Sequence, residues 1–372
     1  MNQVRIVILV QIINSFVSGV LTVVLPLMML ERNIDIATMG FVFAAMPIIF
    51  QLGRMVFATV SDFWGRKPFF VLNGCLVTVS SVIYCLAHTP LEFLFGKVVE
   101  GVKSGSLWAV NRAFLLEKNK LKWRALVNLR TASYVSSAVG SLLAGFLAVW
   151  LFYENTLTLC ALLGASVIPF SLLLVREKKK RLSVSKALRV LDFRKKKRAF
   201  KIFLALFFVM GLSFGFVSGF VYPLFLENNG FDVDTIGLLL GLQILLAGLV
   251  SYFFAGRFKI RKLIFFSGIL YTLTLILVGF SSLVIAGVLV VVYGVVEGFL
   301  GISQEGILST ITNEESYGTD IGLLWMGHHI GRTSSLAMSG IIISKLGFTA
   351  PFLMSALIYI FFYTTAYFIL KE

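Results

Sequence analysis

The chain has 372 residues, of which 58% are hydrophobic and only 14% charged, with a mean hydropathy of +0.92. Soluble domains run at about 45–50% apolar and about 25% charged, so a soluble globular fold is excluded. The net charge of +15 would suggest nucleic acid in a soluble protein, but here the basic residues sit in short segments between apolar runs, so no nucleic-acid partner is expected.

A bilayer span needs about 20 apolar residues. In chain order the candidate runs are 5–30, 39–60, 69–87, 91–116, 125–152 and 156–175, then 202–226, 236–256, 263–280, 283–312, 319–344 and 350–370. Their periodicity is helical, and they are far longer than barrel strands of about 9–11 residues. The first run follows Arg5 and is too long for a signal segment, so it reads as an uncleaved span. The fold class expected is an all-α polytopic membrane protein with twelve transmembrane helices. Cys75, Cys85 and Cys160 all fall inside apolar runs, which fits neither a disulfide framework nor a metal site.

The loops set an orientation. Arg66 and Lys67, then Lys118, Lys120, Lys122 and Arg124, then a dense basic segment over 176–201, then Arg257, Lys259, Arg261 and Lys262 fall on one side. The other side carries Glu31, Asp35, Glu154, Glu227, Asp232 and Asp234. Lys/Arg asymmetry predicts that the basic side and both termini are cytoplasmic. Segment 176–201 reads as a linker with an amphipathic helix, Val184, Leu188 and Leu191 on one side, held by anionic lipid headgroups.

The chain repeats itself. Pro26, Asp35, Thr38 and Gly40 recur at one constant spacing as Pro223, Asp232, Thr235 and Gly237, and Val98-Val99-Glu100-Gly101 recurs at that spacing as Val295-Val296-Glu297-Gly298. Two homologous six-helix halves follow: 1–175 and 202–372, joined by 176–201. Both begin on the same side, so they are parallel repeats about an axis along the membrane normal.

Between the second and third runs the chain reads Ala58-Thr59-Val60-Ser61-Asp62-Phe63-Trp64-Gly65-Arg66-Lys67. With the twelve runs and the duplication, it resembles the major facilitator superfamily, whose hallmark loop reads G-x-L-A-D-x-x-G-R-K. Asp62, Gly65, Arg66 and Lys67 match, and Ala58 replaces the first Gly. Lys97, Gly101 and Gly105 follow the family's fourth-span pattern, with Lys for Arg. Gly140 to Gly145 follow the antiporter fifth-span pattern without its Pro. The sugar-porter signature after the sixth span is absent, and the first span carries Gln11 and Asn14 where many drug–proton antiporters have an acid. The resemblance implies two six-helix bundles that rock around a central site, with the loop of Asp62, Gly65, Arg66 and Lys67 latching them in one state. The plain alternative is a loop whose Arg66 and Lys67 only fix topology.

Ionisable groups inside spans cost about 2.5–3.5 kcal/mol each on the insertion scale and usually face a bundle interior or wet cavity. Polar stripes therefore mark candidate cavity residues: Gln11 and Asn14 in the first span; Lys97, Glu100, Lys103 and Asn111 in the fourth; Glu297, Gln304 and Glu305 in the tenth; His328 and Arg332 in the eleventh. Each has a structural alternative. Lys97 could snorkel outward, Glu100 could form a fixed pair with Lys97 or Lys103, and His328 could be a hydrogen-bonded core residue. Arg54, Arg112 and Arg130 read as structural. Glu297 lies mid-span with no base within one turn of its own helix.

The function expected is secondary transport of a small organic solute by alternating access, as proton-coupled export of amphipathic compounds. Protons, the solute and lipids are the partners. The alternative is uptake or exchange of an organic anion, because in-span bases outnumber acids. No phosphate-binding P-loop lysine motif occurs, and no cofactor or metal is called for. An enzyme is not expected, since no catalytic cluster is seen. A membrane sensor should append a soluble domain, and the chain ends just past its last run. A monomer in the cell membrane is the form the resemblance implies.

Overall fold

The structure, a computed structural model, describes residues 3–118, 122–175, 198–312 and 317–370. Among them every regular element is a helix. In order these are α1 (Gln3–Glu31), α2 (Ile36–Trp64), α3 (Lys67–Leu86), α4 (Pro90–Lys118), α5 (Lys122–Leu172), α6 (Arg198–Phe216), α7 (Val221–Asn228), α8 (Val233–Phe254), α9 (Ile260–Phe280), α10 (Leu283–Ile311), α11 (Tyr317–Leu346) and α12 (Thr349–Ile369). Hydrocarbon offers the backbone no hydrogen bonds, so a spanning segment must satisfy its own, and a helix does.

Nine described helical segments are long and apolar enough to cross a membrane. Two details differ from the sequence reading. The fifth and sixth runs are joined without a loop: α5 leaves helical geometry only at Phe152, at φ 63° and ψ 165°. The arm before Phe152 runs parallel to α1 and the arm after it antiparallel to α3, so the chain reverses there. The seventh run is broken instead. α6 stops at Phe216 and α7 starts at Val221, with Gly219 between them at φ 69°, a conformation open chiefly to glycine. The expected twelve spans correspond to counting the arms of α5 separately, joining α6 to α7, and adding α4 and α11, which fall outside the nine. Helix α6 begins at Arg198, inside the stretch expected as linker; residues 176–197, with the proposed amphipathic helix, lie outside the described residues.

Side chains close the helix ends. Asp35 accepts from the Thr38 amide at 2.8 Å at the start of α2. Glu92 reaches back to the His88 and Thr89 amides at 2.7 and 2.8 Å, as an acid in a helix's first turn should. Gly65 takes φ 80° at the α2–α3 turn, and Lys67 donates to the Leu172 carbonyl at 2.6 Å, closing the end of α5.

Pairing follows one pattern twice. α1 packs on the first arm of α5, where a Cβ added to Gly19 would lie 2.1 Å from the Ser137 carbonyl. α6 packs likewise on α11, Gly211 against the His328 carbonyl at 2.0 Å. α2 pairs with α4 at Gly105 and Arg54, as α8 pairs with α10 at Gln243 and Gly294. α3 pairs with the second arm of α5 through Thr78 and Ala161, as α9 pairs with α12 through Thr349 and Gly279. Between the two sets run α2 on α11 and α5 on α8. These contacts are tightest at the end bearing Asp35 and Glu154, here called the acidic end. There a Cβ on Gly340 would meet the Ile36 carbonyl at 2.3 Å, and one on Gly145 the Val233 carbonyl at 2.4 Å. Apolar side chains from both sets, among them Leu25, Met28, Phe43, Phe220 and Phe225, share one buried cluster, and the rings of Phe43 and Phe220 stand 5.4 Å apart. The end bearing Arg66 and Arg257 is the basic end.

Candidate functional site

Helix α4 carries Lys97, Glu100 and Lys103 inward. Glu100 is buried and accepts from Tyr84 at 2.6 Å and from Lys97 at 2.8 Å. Lys97 does not snorkel outward. Its ammonium lies over the Phe43 ring at 4.3 Å, where a desolvated cation gains about 2 kcal/mol. The pair is fixed inside the first set of helices, the structural alternative weighed for Glu100. Lys103 is 2% exposed and its Nζ has no hydrogen-bond partner among the described residues. Asn73, which the sequence reading did not single out, ties this region together: it donates to the Lys103 carbonyl at 3.1 Å and accepts from Asn14 at 2.8 Å. About two turns past Lys103 on α4, Asn111 donates to Gln11 of α1 at 2.5 Å, and Gln11 to Ser15 at 2.9 Å. The polar stripes of α1 and α4 therefore face each other.

The second set is arranged differently. Glu297 is half-buried in α10 and accepts from the Gln243 amide at 3.2 Å. No ion pair within 4.0 Å reaches it among the described residues, although Arg332 and Arg130 lie within electrostatic range. Arg332 of α11 donates to the Ser218 hydroxyl at 3.1 Å, at the break between α6 and α7. Repeat-related Glu100 and Glu297 thus differ: one has its charge matched in place, the other meets a neutral amide.

His328 and His329 are buried among rings rather than set in the polar stripe. His328 packs on Trp325 and Phe214, and His329 on Trp325 and, across the interface, on Phe50 of α2. Nearby, Arg54 and Arg112 each stand 4.3 Å from the Trp108 ring centroid. Arg54 reaches the Gly322 carbonyl of α11 at 3.5 Å and Gln51 reaches it at 3.1 Å. Gln304 is half-buried, and Glu305 is exposed toward the basic end, where it meets Arg130 of α5 at 3.5 Å. Among the loop residues, Arg66 is buried and Lys67 serves its own set of helices through Leu172; the side chain of Asp62 lies outside the described ones. No cluster of three metal-ligating side chains occurs among the described residues.

Two structurally related sets of helices hold buried charged and amide side chains, among them Lys97, Glu100, Asn111 and Gln243. The sequence profile of the Major Facilitator Superfamily matches residues 7–222 and again 202–372. The chain belongs to the major facilitator superfamily. Multidrug resistance protein MdtL of Klebsiella pneumoniae is 22% identical over 312 residues, 78% of this chain and 79% of that one. Multidrug resistance protein 2 of Bacillus subtilis is 22% identical over 278 residues, covering 69% and 67%. Among solved structures, the nucleoside transporter NupG superposes with a TM-score of 0.79 at 15% identity over the whole of both chains. A bacterial homologue of the human lysosomal transporter Spinster, inward-facing and unoccupied, gives 0.75 at 17% identity over 99% and 96%. At these identities the structures speak for the fold. This superfamily member is a multi-pass membrane transporter and not an enzyme.

Sequence spacing missed several residues of this interior. Tyr84, Asn73 and Gln243 lie on helices other than those of the acids and bases they serve, and no same-helix spacing could find them. Arg54, Arg112 and Arg130 were visible as in-span bases but read as structural, because they lie toward the inner ends of their spans; Arg54 and Arg130 meet their ring and acid on other helices, and Arg112 meets Trp108 on its own.

Proposed function

We propose that this protein exports small amphipathic compounds in exchange for protons, by alternating access between the halves 1–175 and 202–372. The observation that carries the reading is Glu297, a mid-span carboxylate on the interior side of α10 whose described hydrogen bond comes from the neutral amide of Gln243. A charge there is costly, so gaining and losing a proton would change the energy of exposing the site to one side or the other. Glu100, locked to Lys97 and Tyr84, supplies a fixed frame. The two multidrug resistance relatives support the choice of cargo. In this reading the basic end is cytoplasmic in the cell membrane, the closed acidic end is the outer face, and the structure corresponds to the inward-facing state. The Asp62–Lys67 loop would latch the opposite state.

A second cargo has an observation of its own. Arg54 and Arg332 meet neutral partners among the described residues, the Gly322 carbonyl and the Ser218 hydroxyl. Two cations of this kind favour an organic anion. Reconstituted vesicles decide between the cargoes. With an imposed pH gradient, wild-type protein should move ethidium against its own gradient and leave carboxyfluorescein unmoved. Gradient-driven movement of carboxyfluorescein alone selects the anion, and movement of neither rejects both cargo classes.

A further inference from the structure

Glu297, Gly301 and Glu305 follow one another at four-residue intervals on α10, so they lie along one face of that helix. Arg130 comes from the other half and rests on this row. Its Nη1 is 3.5 Å from Glu305 Oε1, and its Nη2 is 2.7 Å from where a Cβ on Gly301 would stand. The missing side chain at Gly301 therefore makes the seat for the guanidinium. At about 1.5 Å rise per residue, each acid lies about 6 Å along the helix axis from that seat, one on either side. Arg130 is within electrostatic range of both.

The two acids offer unequal stations. The Glu305 pair is long for a hydrogen bond, and its side chains are 35% and 48% exposed. Such pairs contribute little and release easily. Glu297 lies deeper, where an ionised carboxylate attracts a cation more strongly. We propose that Arg130 is a two-station coupling residue, moving from Glu305 to Glu297 when Glu297 loses its proton and returning when Glu297 is protonated. Because Arg130 belongs to one half and both acids to the other, each exchange remakes a link between the halves and ties the proton on Glu297 to their relative position.

Among the described residues, the groups facing Glu297 and Arg130 come from several neighbouring helices. α8 presents Gln243 and Ser251, α5 presents Tyr134, and Tyr222, Tyr271 and Tyr293 come from α7, α9 and α10. α11 presents Arg332. Of the charged groups, Arg332 shares a half with Glu297 and moves with it. Among the described residues, Arg130 is the charged group near Glu297 that comes from the other half.

The proposal rests on Glu297 as the proton site, and one experiment separates the two ideas. Cys75, Cys85 and Cys160 are replaced, and spin labels are placed at Asn128 and Ser309, exposed positions on α5 and α10. The distance distribution in nanodiscs is then measured at pH 5 and pH 8. The wild-type distribution should shift with pH. Glu297→Gln should abolish the shift and hold the pH 5 distribution. Arg130→Gln should also abolish it, Arg130→Lys should restore part of it, and Glu305→Gln should move the pH 5 distribution toward the pH 8 one. A full shift in Arg130→Gln overturns the coupling role while leaving Glu297 as the proton site. A full shift in Glu297→Gln, or none in the wild type, overturns both. Should Arg130→Gln fail to fold, the exposed Glu305→Gln decides alone: an unmoved pH 5 distribution rejects the two stations.

Discussion

Lys97 and Glu100 show how the chain tolerates charge inside a bilayer. Each would be costly alone, and together with Tyr84 they match donor to acceptor within one half. Breaking a buried pair by removing one partner costs about 3–5 kcal/mol, while removing both is far milder. Lys97→Met should therefore lower the detergent melting temperature sharply, and Lys97→Met with Glu100→Gln should recover most of the loss. A thermal-shift series on purified protein reads both; equal melting of the single and double variants would mean that the pair contributes no coupling. Asp35 makes a smaller, pH-dependent contribution. Its bonds from the Thr38 hydroxyl and amide hold its carboxylate below the ordinary value of 3.8. The stability it adds is present above that value and is lost as pH falls through the lower folded value. Asp35→Ala should cost about 1 kcal/mol near neutrality, a gap that narrows as pH falls from 3.8 through the lower folded value and the carboxylate protonates. The check is the pH dependence of the melting difference.

At the scale of helices, glycines do two jobs that one substitution series can separate. Gly19 and Gly211 bring backbones together within a half, where an added Cβ would overlap a carbonyl. Gly40 and Gly340 do so between halves at the acidic end. Gly211→Val should therefore lower melting and yield. Gly40→Val should leave the halves folded but wedge the acidic end open, raising the labelling rate of a cysteine placed at Val42 by an impermeant thiol reagent several-fold. Unchanged labelling with intact folding would show that the interface yields without opening. The helices themselves were largely legible in the chain, because a lipid-spanning run must be long, apolar and helical, and because the Asp–Gly–Arg–Lys turn and the duplicated Glu-Gly blocks survive. One break was not legible: Gly219 interrupts a run read as continuous over 202–226. The reversal between the fifth and sixth runs was placed correctly at residue 152, but as a short loop, because no glycine announces that Phe152 alone takes the left-handed φ. Lys97 illustrates the site. Its helix face could be read from spacing, but whether that face met lipid or Glu100, Tyr84 and Phe43 depended on helices distant in sequence. Arg130 was obscured for the same reason, since the acids it serves lie in the other half.

The whole molecule divides its charge unequally between repeats of one plan. The first half binds its acid to lysine and tyrosine; the second leaves Glu297 on an amide, near arginines of both halves. That asymmetry gives the proposed cycle a fixed partner and a titrating one. The acidic end is sealed by apolar packing such as Phe43 on Phe220. Toward the basic end the described links between halves include polar ones beside ring packing such as Tyr134 on Gly248: Gln51 and Arg54 on the Gly322 carbonyl, and Arg130 on Glu305. Polar contacts can be exchanged for water at small cost, so rocking should break the basic end and the acidic end by different means. The most direct measurement records ethidium and proton movement together in vesicles holding wild-type protein or Glu297→Gln. The account predicts that the wild type couples the two fluxes, and that Glu297→Gln still equilibrates ethidium down its gradient while moving no protons. Proton-coupled transport by Glu297→Gln at the wild-type ratio would contradict it.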